Sequence, residues 1–287
     1  MTDSTIANKS TIGSGTETVA GFVGKDYPAF FLQFRPVGPP RAHVVYLPPF
    51  GEEMNRLRSL VAEQARQFAR EGLSCSILDF YGTGESRGDL GDANLSIWRQ
   101  NIEDMLERVL QRTQKPVYLW GCRLGALLAL DYFSFNPGVC SKLLLWQPVT
   151  SGSSFVTRML RQRSISLMQK GEEPESTAEM KHQLAQGNSF EVAGYRLGGE
   201  LMNAIDQLEV ASMLQGNLAD EKPEIVWLEH TADEGGDPGA KANRIIGELQ
   251  EAGCRVVFGT FTGDPLWQLN KRGACDDLLT KTRGLKL

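Results

Sequence analysis

The chain has 287 residues, 41% hydrophobic and 23% charged, the balance of a soluble globular protein long enough to bury a substantial α/β core. A net charge of −5 argues against nucleic acid as the main partner. No apolar run reaches the roughly 18 residues of a membrane span.

Residues 1–20 are polar and lack the apolar core of a secretory signal, so they read as a disordered tail. Tyr27 to Phe34 and Ala42 to Leu47 are β-rich and read as consecutive strands. A helix from about Asn55 to Arg70 carries Leu57, Leu60, Val61, Ala65 and Phe68 at helical spacing, with Gly72 at its end. The strand SCSILDF, the glycine loop YGTGESRG, a helix near Trp98 to Gln111 and the strand VYLW follow. After a further helix and the strand KLLLWQP the rhythm breaks. Residues 150–217 are polar and helical, with a charged loop, GEEPES. EIVWLE, Ala240 to Ala252 and RVVFGTF then resume the alternation.

Strands alternating with helices predict a mostly parallel central sheet covered on both faces. The expected organisation is an α/β core of residues 21–149 and 218–287, with residues 150–217 as a helical cap at the carboxyl ends of the strands. Five cysteines (Cys75, Cys122, Cys140, Cys254 and Cys275) form no C-x-x-C pair. Three of them sit inside apolar, strand-like or helix-start segments, which suits reduced, buried thiols in a cytoplasm. No metal-ligand spacing and no cofactor motif is present, so neither is expected.

The segment LWGCRLGALLAL, Leu119 to Leu130, joins an apolar strand end to a helix of small and aliphatic residues through Gly121 and Gly125. This is the layout of the G-x-S-x-G nucleophile elbow, with Arg123 in the serine's place. A one-residue slip would put Cys122 on the elbow, but its flanks would then be Trp120 and Leu124, too large for a strained turn. Cys122 therefore reads as a buried packing residue.

With this elbow, the loop PPFGEEMNR and DFYGTGES (Asp79 to Ser86), the chain resembles the α/β-hydrolase superfamily over nearly its whole ordered length. LPPFGEEMNR, LWGCRLGALLALD, LLLWQPV and EVAGYRL are similar to the second type of hydrolase-like protein encoded with exosortase A and exopolysaccharide systems. The resemblance implies an α/β-hydrolase fold with a cap and a role in exopolysaccharide production, without implying a particular reaction.

In such a fold the triad runs nucleophile, acid, histidine. The acid's place, in HTADEGGD, offers Asp233 or Glu234. The histidine's place, in TGDPLWQLN, holds no histidine, and Trp267 there is expected to line or close the pocket. His43 and His182 lie elsewhere, and His230 stands in the acid's region. A guanidinium is neither nucleophile nor base at neutral pH. The expectation is that the serine-hydrolase mechanism is absent.

What remains is a binding site for a small anionic ligand. Arg123 would be its anchor, beside a helix N-terminus and the N–H groups of Leu124 and of Phe50 or Gly51. Equally, Arg123 can be neutralised within the fold by Glu52 or Glu53. A rival reading is a hydrolase or acyltransferase built on Cys122, His230 and Asp233, and a third is a partner protein docking through its cap. The segment Ser151 to Lys170, with Arg158, Arg161 and Arg163 opposite an apolar face, fits a cap helix packed on the core or, alternatively, peripheral contact with an anionic membrane.

Overall fold

The computed structural model describes residues 8–12, 16–112, 114–215, 222–266 and 275–285. Its centre is a nine-stranded sheet in the order β1-β2-β3-β5-β4-β6-β7-β10-β11. The strands are β1 (Asn8–Ile12), β2 (Thr16–Val23), β3 (Ala29–Pro36), β4 (Ala42–Leu47), β5 (Leu73–Leu78), β6 (Val117–Cys122), β7 (Lys142–Trp146), β10 (Glu224–His230) and β11 (Arg255–Phe261). β1, β2 and β3 are antiparallel, β3 pairs antiparallel with β5, and every pairing from β5 to β11 is parallel. The fold is an α/β-hydrolase fold, with its large, mostly parallel sheet flanked by helices.

The amino-terminal region differs from the sequence-based expectation. Part of the expected tail is ordered strand: Thr16–Val23 pairs along β3, with Val19, Gly21 and Val23 buried and the residues between them more exposed, while residues 1–7 and 13–15 lie outside the described residues. TETVAGFV is polar enough to read as tail, yet every second side chain packs inward. Strands β3 and β4 are consecutive in the chain, as read from the sequence, and in the sheet β5 lies between them.

Helices α1 (Glu52–Arg70) and α9 (Asp276–Arg283) cover one face, and α2 (Leu95–Leu110), α3 (Leu124–Phe135) and α8 (Ala240–Glu251) cover the other. Helix α3 is apolar around most of its circumference and is buried from Leu124 to Phe133, as such a helix must be. Its one buried carboxylate, Asp131, is held by Arg99 through two hydrogen bonds of 2.8 Å. All five cysteines are free and buried.

The cap comprises α4 (Gly152–Gln169), α5 (Thr177–Ala185), the hairpin β8 (Phe190–Val192) and β9 (Tyr195–Leu197), and α6 (Gly199–Asp206). It is therefore not wholly helical. Moreover, α7 (Val210–Gln215), inside the expected cap boundary, packs on α3 and α8 of the core. The buried stripe Phe155, Val156 and Leu160 seats α4 on the molecule, and Ser151 caps it by accepting from the Ser154 N–H. A Cβ on Gly152 would come within 1.7 Å of the Ile205 carbonyl oxygen, so α4 starts hard against the end of α6.

Candidate functional site

Strand β6 ends at Cys122, α3 begins at Leu124, and Arg123 makes the whole turn between them at φ 54° and ψ −115°. A non-glycine residue there is strained and has to be held by its surroundings. Its flanks supply that hold. A Cβ on Gly121 would meet the Ala126 Cα at 2.4 Å, and one on Gly125 would meet the Leu47 carbonyl oxygen at 2.1 Å. These contacts give the physical reason for both glycines and put Arg123, not Cys122, on the elbow.

The Arg123 side chain is only 7% exposed. Its Nε lies 3.3 Å from Glu53 Oε2, and its Nη1 donates to the Gln147 carbonyl at 3.2 Å. The other Glu53 oxygen, Oε1, accepts from Arg158 Nη2 of α4 at 3.4 Å. Two guanidiniums thus share one carboxylate. Burial first, and then the Arg123 charge, lower the Arg158 pKa from its ordinary value, against the pull of Glu53. Of the two candidate counter-ions, Glu53 pairs with Arg123. Glu52 instead pairs with Arg56 and accepts from the Tyr195 hydroxyl of the cap hairpin at 3.3 Å.

The loop before α1 stands next to the elbow. Gly51 is the N-cap of α1, and Glu53 from the first turn of that helix reaches Arg123 at the N-cap of α3. Two helix N-termini, each with partial positive charge, therefore lie close together. Phe50 is buried and packs edge-on against Phe155 of α4, and the Tyr195 ring lies 3.6 Å from where a Gly51 side chain would begin. The cap closes directly over the elbow.

Glu229, near the end of β10, is a site residue that sequence reasoning missed. Burial pushes its carboxyl up to about 7, opposed by a hydrogen bond from Trp227 Nε1 at 2.9 Å and by the charge of Arg123. A signal was present in EIVWLEH. Ile225 and Trp227 point into the core under α8, and strand alternation turns Glu229 to the same side. Beside it, buried Gln147 adopts φ 44° and its side-chain oxygen has no hydrogen-bond partner.

Cys122, His230 and Asp233 have separate surroundings. Cys122 is completely buried among Tyr46, Trp120 and Trp146, and burial drives its thiol pKa far up, against the pull of Arg123. His230 Nε2 lies 2.8 Å from the Gly263 carbonyl oxygen, with its ring edge-on to Phe261. Asp233 stands in an exposed loop. Trp267 lies outside the described residues. DFYGTGES is a structural turn, in which Asp79 accepts from Arg58 and from the Glu85 N–H, each at 2.9 Å. Among the described residues no cluster could hold a metal ion, and no helix is long and apolar enough to cross a membrane.

The same architecture occurs in proteins of very different sequence. Est1E from Butyrivibrio proteoclasticus, solved with ferulic acid, is 13% identical, with 91% of this chain and 96% of that one aligned at a TM-score of 0.62. A thermostable carboxyl esterase from Bacillus coagulans, in complex with glycerol, is 16% identical over 94% and 97% of the two chains, also at 0.62. The mouse alpha/beta hydrolase domain-containing protein 10 is 14% identical over 92% and 96%, at 0.55. Identities this low speak for the fold alone. No curated protein matches the chain by sequence. The family model for the serine aminopeptidases, S33, matches residues 38–184. That match covers just over half of the chain and spans the loop before α1, the elbow and the start of the cap, so the chain belongs to the S33 family of α/β-hydrolase-fold proteins.

Proposed function

We propose that this chain is an α/β-hydrolase-fold protein without a serine triad, binding a small anionic acyl- or sugar-linked ligand at the elbow with Arg123 as its anchor. The observation that carries this reading is the sharing of Glu53 by Arg123 and Arg158 beside two helix N-termini. An incoming carboxylate could take the place of Glu53, or join it, between the two guanidiniums. Service in bacterial exopolysaccharide or exosortase systems is the biological setting that the sequence resemblance suggests. Ile165 and Met168 of α4, 50% and 53% exposed, favour a second reading in which the cap docks a protein partner. The thiol enzyme is disfavoured because Cys122 lies wholly in the core.

The test is thermal unfolding with sodium hexanoate and with glucuronate, an acyl and a sugar acid. Stabilisation is expected in the native protein, and Arg123→Ala should weaken binding by about 1.5–3 kcal/mol, the range for hydrogen bonds to charged groups. Arg123→Ser should restore the serine yet give no esterase, since no histidine follows β11 in the chain to activate it. Stabilisation that persists unchanged in Arg123→Ala removes Arg123 from the site. Rapid alkylation of Cys122 with loss of turnover would reinstate the thiol enzyme.

A further inference from the structure

The opposite, amino-terminal end of the same sheet carries a second polar feature, on the face covered by α2. Glu17 of β2 stands opposite Arg35 of β3, Gln33 of β3 opposite Ser76 of β5, and Ser74 of β5 opposite His43 of β4. A polar row thus crosses four neighbouring strands. Further along those strands the same face is apolar, with Val19, Phe31, Leu78 and Val45 in the core.

Arg108, in the last turn of α2, and Arg112 and Lys115 just beyond it stand over this row. Together with the Pro36–Pro40 turn they enclose a cleft of about 390 Å³, a size typical of small-molecule sites. Four lining side chains, Arg35, Arg108, Arg112 and Lys115, are cations, against one carboxylate, Glu17. This occurs in a chain whose net charge is −5.

The floor of the cleft is polar and incompletely satisfied. Both ring nitrogens of His43 and the hydroxyl of Ser74 are buried without a hydrogen-bond partner, in residues only 8% and 1% exposed. Groups of this kind are costly to bury unpaired. Gln33, by contrast, is fully engaged. Its amide nitrogen donates to Ser76 Oγ at 2.9 Å and its oxygen accepts from Arg35 Nε at 2.6 Å, which fixes the guanidinium over the floor.

The electrostatics point the same way. Burial first, and then Arg112, lower the pKa of Arg35, a repulsion that a bound anion would relieve. Burial, and then Arg35, push His43 down to about 4, so at neutral pH its ring is uncharged and carries one N–H to donate. A cation at a helix C-terminus complements the helix dipole, which accounts for Arg108. It does not account for the unpaired imidazole and hydroxyl beneath.

We propose that this cleft is a second ligand site, separate from the elbow, for a small phosphate- or pyrophosphate-bearing molecule. Its anionic group is held by Arg35, Arg112 and Lys115, and its oxygens accept from His43 and Ser74.

Calorimetric titration with inorganic pyrophosphate, at ionic strength held constant with chloride, tests the proposal. The native protein should bind one equivalent saturably, and the surface double variant Arg112→Ala/Lys115→Ala should bind at least about tenfold more weakly. Ser74→Ala, a minimal change in volume, should weaken binding by a smaller factor. Arg123→Ala should leave pyrophosphate binding intact, so this test stands apart from that of the elbow. Circular dichroism of each variant establishes that it is folded. Absence of saturable binding to the native protein, or undiminished binding by the double variant, overturns the proposal. So does loss of binding in Arg123→Ala, which would place the anion at the elbow.

Discussion

The elbow and the cap meet over Arg123, yet they are held in opposite ways. The elbow is fixed by backbone. Gly121 and Gly125 abut main-chain atoms of α3 and β4, and the Arg123 N–H donates to the Trp146 carbonyl at 3.0 Å. Where the cap meets the start of α1, the buried edge-on pair of Phe50 and Phe155 is flanked by polar side chains nearer the surface, Tyr195 with Asn55 and Glu52, and Arg158 with Glu53. The backbone contacts leave no room for substitution, whereas the polar pairs can be exchanged for water at small cost. Strain at the elbow is enforced by neighbouring backbone whatever the chemistry of residue 123. The Arg123 guanidinium itself is nearly covered beneath the cap.

The sharpest way to break this contrast is Gly125→Ala. The added methyl meets the Leu47 carbonyl oxygen, so destabilisation of about 3 kcal/mol or more is expected from overpacking against backbone. Urea unfolding measures it, and a loss under about 1 kcal/mol would mean that the elbow yields as easily as the cap.

Glu229 supplies the next effect. Its carboxyl titrates near 7 in the fold and near 4.5 when unfolded, so folding takes up a proton between those values. Stability is then highest below the lower value and falls as pH rises through the window, by about 3 kcal/mol in all. Urea midpoints should drop between about pH 5 and pH 8, and Glu229→Gln should flatten that slope. An unchanged slope in the variant would assign the titration to another group.

The smallest effect belongs to the cap. Tyr195→Phe removes the hydroxyl that bridges Asn55 and Glu52 and should cost about 1 kcal/mol or less, as exposed hydrogen bonds do. Faster hydrogen exchange confined to residues 190–197 is the expected signature. Global destabilisation instead would make the cap as integral to the fold as the elbow.

Local rules made the elbow legible. Glycines two residues either side of Arg123 are a steric requirement that one short segment displays in full. The choice between Glu52 and Glu53 was not legible, because adjacent helix positions point about 100° apart and only the placement of the cap shows which one faces inward. Thr16–Val23 was missed because a strand half-covered by its neighbours needs few apolar residues. The polar row at the amino-terminal edge lay beyond reading for a different reason. It exists only because β5 inserts between β3 and β4, which sets Ser74 beside His43, and no spacing along the chain announces that neighbour.

The aromatic cluster beneath the elbow has an optical consequence. Trp120, one residue before Gly121, and Trp146, one before Gln147, are fully buried with ring centroids 4.6 Å apart at 71°. Tyr46 and Phe68 lie against Trp120, with centroids at 4.4 and 5.4 Å. Indoles held so close and so steeply inclined couple their intense far-ultraviolet transitions, so a dichroic couplet in that region, together with a blue-shifted emission from the buried rings, is expected of the native chain. Because that pair straddles the turn bearing Arg123, the colour and handedness of its light report on the elbow without any added label.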